Sequence, residues 1–115
     1  MNSFTCRLVQ FDSQLGSTSD DTVGRMRDAI ETADAELVVF PELATTGYNT
    51  FDTLDSVAEP VPGPTTAELG AVARANEVEV VFGMPVEDDG NVFNSAVWLD
   101  TEGEVRARYD KRHLW

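Results

Sequence analysis

Apolar residues recur at two spacings along this chain, and the switches between them mark out its elements. From Phe4 to Phe11 they alternate: Phe4, Cys6, Leu8 and Gln10 share one face, and Thr5, Arg7, Val9 and Phe11 the other, as in a strand. Asp12 to Ser19 is a polar loop. Asp20 and Asp21 suit a helix N-terminus by charge and capping, and Val23, Met26, Ile30 and Ala33 follow at helical spacing. Leu37-Val38-Val39-Phe40 is an unbroken apolar run stopped by Pro41, which suits a strand buried on both faces. Ala44 to Thr50 is loop-like, with Gly47 as a turn, and Phe51, Leu54 and Ala58 mark a short helix. The rigid stretch Pro60 to Pro64 leads to Thr65 and Glu68, spaced as a capping box, and Leu69, Val72 and Ala73 give the next helix its apolar side. Val78 to Met84, Val92 to Leu99 and Val105 to Tyr109 read as strands. They are joined by turns at Asp88–Asn91 and Thr101–Glu104. The order β-α-β-(α)-α-β-β-β predicts an α/β domain whose mixed sheet begins with parallel crossovers and ends in antiparallel hairpins.

Composition narrows the functional classes. The chain has 115 residues, 42% of them hydrophobic, which allows one domain with a core. Its apolar runs are too short to span a bilayer, and the N-terminal residues lack the pattern of a signal peptide, so a cytoplasmic location is expected. Acidic residues outnumber basic ones 21 to 8, for a formal charge of −13. Such a field repels nucleic acid and anionic membranes. The acids are scattered, as on a solvated face, and with so little lysine they resemble the composition of proteins from salt-accumulating halophiles. A single cysteine, Cys6, excludes an internal disulfide, and a single histidine, His113, argues against a histidine-rich metal site.

Two charged residues stand out by position. Glu42 follows the buried run and Pro41, so its carboxylate lies at or beyond a strand's C-terminal end, where open α/β sheets place ligands. Near apolar walls a carboxylate loses solvation and becomes a better base. Read alone, Glu42 is more often an ordinary solvated glutamate opening a loop, since most charged residues are merely solvated. Lys111 ends the last strand and is the only lysine beside seven arginines. That suggests a task for a compact point charge rather than a planar fork, although one surface lysine can also persist by chance. Cys6 sits in the first strand on an apolar-leaning face and reads as a buried structural thiol. His113 lacks a Ser or Cys partner in any catalytic pattern and reads as structuring the loop after Lys111. Gly83 and Gly90 sit in no phosphate-cradling motif.

Taken together, three segments resemble the nitrilase superfamily of carbon–nitrogen hydrolases. Val39-Phe40-Pro41-Glu42-Leu43-Ala44-Thr45-Thr46-Gly47-Tyr48 is similar to its glutamate motif, Phe93-Asn94-Ser95-Ala96 to a strand that often reads Tyr-Asn-Ser-Ala, and Tyr109-Asp110-Lys111-Arg112-His113-Leu114 to its lysine motif. They stand in family order, and the resemblance spans residues 1–115 as a partial domain. It implies the N-terminal half of an α-β-β-α sandwich. It also implies a small-molecule amide, carbamoyl or nitrile substrate, with amidase chemistry favoured. A cysteine thiolate attacks the substrate carbon, Glu42 is the general base, Lys111 steadies the tetrahedral oxyanion, and Tyr48 lines the substrate pocket. No metal or organic cofactor is implied. The family's nucleophile follows the lysine by a few dozen residues, so it is expected outside these 115 residues, and Cys6 matches no family cysteine motif. The implied partners are a C-terminal half or further copies in a homo-oligomer. A non-catalytic α/β interaction module that binds a full-length relative is the alternative.

Overall fold

A computed structural model describes residues 3–10, 19–46 and 54–111. The elements are β1 (Cys6–Leu8), α1 (Ser19–Glu31), β2 (Leu37–Val39), α2 (Leu54–Val57), α3 (Pro64–Asn76), β3 (Glu79–Asp88), β4 (Asn91–Leu99) and β5 (Val105–Asp110). They occur in the expected order. They build one five-stranded sheet in which spatial and chain order coincide, with β1-β2 and β2-β3 parallel and the last two pairs antiparallel.

That order decides which face of the sheet is covered. Both parallel steps move the same way across the sheet, and right-handed crossovers therefore put α1 and α3 on the same side. The core lies there. Val23, Met26 and Ile30 of α1 and Leu69, Val72 and Ala73 of α3 pack on Val38, Val80, Phe82, Val97 and Leu99 of the sheet. Val38, Val80, Phe82, Val97 and Leu99 are each 0% exposed. Burial of one such side chain stabilises the fold by about 1.5–3 kcal/mol.

Neither α1 nor α3 covers the opposite face, which corrects two expectations. Leu37 and Val39 are only half-buried, so the apolar run of β2 is fully covered on one face rather than two. Cys6 is exposed, not a core thiol. The alternation in the first strand has the expected period, but its two faces are assigned the other way round. Val9 packs toward the core and Arg7 Nη1 donates to the Ala33 carbonyl (3.3 Å), while Phe4 (62% exposed) and Leu8 (77%) lie with Cys6 on the open side.

Element boundaries shift for local reasons. The capping box forms two positions earlier than expected: Pro64 opens α3, and the Thr66 hydroxyl accepts from the Gly63 N–H (2.8 Å). Thr65 is tied instead to Glu59, whose carboxylate accepts from its N–H (2.8 Å) and its hydroxyl (2.5 Å). β3 runs on past Met84 through Pro85, which pairs with Asn94. Asp89 (φ 52°) and Gly90 (φ 80°) close the β3–β4 hairpin as a two-residue turn, a conformation that matches the strand twist and suits an Asp-Gly pair.

Candidate active site

Glu42 is placed by the chain crossing over β3. The Phe40 N–H donates to the Val81 carbonyl (2.8 Å) and the Gly83 N–H to the Pro41 carbonyl (3.2 Å), so the segment after β2 is tied down on β3. Contact is close enough to require glycine: a Cβ on Gly83 would lie 2.5 Å from Leu43 N and 2.7 Å from Glu42 Cα. Leu43 itself takes a left-handed φ of 51° while its side chain is 0% exposed. That conformation costs a non-glycine residue on the order of 1–2 kcal/mol. Burial of the leucine side chain offsets it and turns the chain so that Glu42 faces the sheet's open side.

Lys111 reaches the same point from the other edge. Its N–H donates to the Asn94 carbonyl (2.8 Å), one step beyond the last pair of the β4–β5 ladder, Ser95 with Asp110. Its Nζ lies 3.0 Å from Glu42 Oε1, across 69 residues of sequence. Both side chains are partly exposed, 41% for Lys111 and 36% for Glu42. An ion pair this accessible adds little to stability and is available for chemistry.

The Glu42 carboxylate has a further donor. Asn94 Nδ2 lies 2.6 Å from the same Oε1, and Asn94 is 5% exposed. Sequence reasoning placed Asn94 inside a family-like segment but gave it no role. Its one available signal was parity, since the even positions of β4 share a face with one another. The three residues border a cleft of about 250 Å³ floored by Val81, Gly83 and Ala96, with Phe40, Pro41 and Tyr109 at its sides. The cleft opens on the uncovered face. It joins an apolar seat to a carboxylate and an ammonium, the parts needed to move a proton and to steady a developing negative charge.

The far face of the same strands holds a second cluster. Arg108 forms two hydrogen bonds to Asp110 (Nε–Oδ1 2.8 Å, Nη2–Oδ2 3.0 Å) and a third to Asp88 (3.1 Å). The Ser95 hydroxyl donates to Asp110 Oδ1 at 2.6 Å. Asp110 is therefore held below the usual carboxylate range, first by the Arg108 hydrogen bonds and then by Ser95, against the opposing effect of burial. Arg108 is raised, chiefly by its hydrogen bond to Asp110. This cluster locks β5 to β4 immediately before Lys111.

Tyr48 and His113 lie outside the described residues. Cys6 lies on the open face in β1, at the edge of the sheet. Among the described residues no group of His, Cys, Asp and Glu is arranged to hold a metal ion, and no helix is long and apolar enough to cross a membrane.

Comparison with known proteins identifies the family and the fold. Residues 6–115 match the carbon–nitrogen hydrolase family. An (R)-stereoselective amidase from Pseudomonas sp. is 36% identical over 110 residues, covering 94% of this chain and 39% of that protein. An omega-amidase from Pongo abelii is 32% identical over 120 residues, covering 100% of this chain and 42% of the relative. In three dimensions the chain superposes on an amidase from Nesterenkonia sp. with a TM-score of 0.81 at 24% identity, covering 97% of this chain and 44% of that one. A variant of that amidase carries acrylamide joined by Michael addition to its active-site cysteine. The chain spans about two-fifths of the length of these two curated relatives. Its single mixed sheet with one helical layer is the N-terminal half of the nitrilase-type sandwich. With its family match running through the segments that hold Glu42 and Lys111, the chain belongs to the carbon–nitrogen hydrolases.

Proposed function

We propose that this chain supplies the general base and the oxyanion-stabilising cation of an amidase acting on a small, non-peptide amide. The observation that carries the reading is the contact between Glu42 Oε1 and Lys111 Nζ, 3.0 Å apart, beside an apolar cleft. The attacking thiol comes from a segment outside these 115 residues that covers the open face. Glu42 takes the thiol proton, and the thiolate adds to the amide carbon. The resulting oxyanion develops beside the Lys111 ammonium. Glu42 returns its proton to the departing nitrogen, so ammonia or an amine leaves and a thioester remains. Glu42 then draws a proton from water, which attacks the thioester and releases the carboxylic acid and the thiol. The amidase relatives favour an amide substrate over a carbamoyl compound or a nitrile. Tyr48 is a candidate for the pocket wall, by resemblance. A cytoplasmic enzyme assembled from stacked copies belongs to the same reading.

The test is ammonia release from acetamide and propionamide by a polypeptide that joins these 115 residues to a C-terminal segment bearing the family's cysteine motif. Turnover that vanishes when that cysteine is changed to alanine is the expected result. The second reading, a non-catalytic module that pairs with a full-length relative, draws on Phe4, Leu8 and Tyr109, large apolar side chains on the open face that are each more than half exposed. It predicts no turnover from the joined polypeptide, so the same assay separates the two.

A further inference from the structure

Glu42 and Lys111 come from segments with no ladder between them. β2, which delivers Glu42, is separated in the sheet from β5, which delivers Lys111, by β3 and β4. Asn94 touches both. Its side-chain Nδ2 donates to Glu42 Oε1 (2.6 Å) and its backbone carbonyl accepts from the Lys111 N–H (2.8 Å). It is also nearly buried, 5% exposed, where its two partners are open to solvent. We propose that Asn94 is the positioning residue of the site, fixing the carboxylate with its amide and the lysine backbone with its carbonyl so that base and cation stay in contact. The proposal rests on the reading of Glu42 and Lys111 as that base and cation.

The residue type matters as much as the place. An ionised carboxylate only accepts hydrogen bonds, so the amide must present its NH₂ to Glu42. A neutral donor favours the ionised carboxylate, the form able to take a proton, without competing with Lys111 for it as a second cation would. Aspartate has the same shape, but it would set a second carboxylate against the first. Leucine has similar bulk and would leave Oε1 with one donor fewer. Asn94 sits on the interior strand β4, where it pairs with Pro85 of β3 and its carbonyl takes the Lys111 N–H one step beyond the β4–β5 ladder, so its own position is set by strand pairing rather than by a loop.

Lys111 is the only lysine, so labelling with lysine enriched in ¹³C at Cε gives one resonance that reports on this contact alone. In the unaltered 115-residue chain its shift is expected to step when Glu42 titrates, and the step is expected to disappear in Glu42→Gln. In Asn94→Leu the step is lost while the amide spectrum of the helices is retained. A full step in a folded Asn94→Leu chain overturns the proposal. Should that variant fail to fold, Asn94→Asp serves instead. Its loss of thermal stability is expected to be recovered when Glu42→Gln is added, because an amide then again faces a carboxylate. No recovery in the double variant overturns the proposal. Turnover enters none of these measurements. A joined polypeptide that is inactive with the lysine step intact would refute the functional reading and leave the positioning role standing.

Discussion

Glu42 and Lys111 stand 3.0 Å apart in space and 69 residues apart in sequence. Their motifs were legible because each falls beside a strand end, and the absence of other lysines singled out Lys111. The lysine is tied to the site by a head group at one point, a compact charge rather than a fork. In the joined, active polypeptide Lys111→Arg is therefore expected to lower kcat by about 10²–10³-fold, the usual cost of removing one oxyanion donor. The guanidinium is too large to centre on the same oxygen. Steady-state kinetics on propionamide check this, and an unchanged kcat would remove Lys111 from the reaction. Asn94 was not legible as a site residue. Its role depends on which strand lies between the other two, and nothing in the local sequence encodes that. Cys6 was misplaced for a related reason. Alternation gave the two faces of the first strand, but only the crossover direction decides which face receives helices.

At the scale of elements, the order of helices and strands could be read from spacing, while their ends could not. Pro64 moved the start of α3, and pairing with β4 carried β3 through Pro85. The pairing of β5 with β4 is reinforced by Ser95, Asp110 and Arg108, and this gives a pH signature. Asp110 titrates lower in the folded chain than the value near 3.9 expected of an unfolded aspartate, so its contribution is complete above that value. It is lost as pH falls through the lower folded value. Protonation of the many other carboxylates relieves self-repulsion at the same time, so the useful quantity is a difference. The stability gap between the unaltered chain and Asp110→Asn is expected to be widest at neutral pH and to close below about pH 4, by urea unfolding at a series of pH values. A gap independent of pH would show that the Arg108–Asp110 clamp contributes nothing.

For the whole molecule, a sheet face left open by the described helices α1 and α3 and a charge of −13 act against stability together. Self-repulsion is long-ranged and is screened once the Debye length falls to about 3 Å near 1 M salt. The melting temperature is therefore expected to rise between dilute buffer and molar sodium chloride, as scanning calorimetry can record. A flat response would dismiss the halophile-like reading of the composition. The open face has a more specific consequence. It places Glu42, Lys111 and an apolar seat on the side where the proposed function puts a second layer and the attacking group. The reading thus divides the chemistry between what these residues hold and what must be brought to them. Ammonia release from propionamide by the purified 115-residue chain, with and without Cys6→Ala, tests that division most directly. No turnover above the buffer rate is expected from either form; turnover that persists in Cys6→Ala would contradict it.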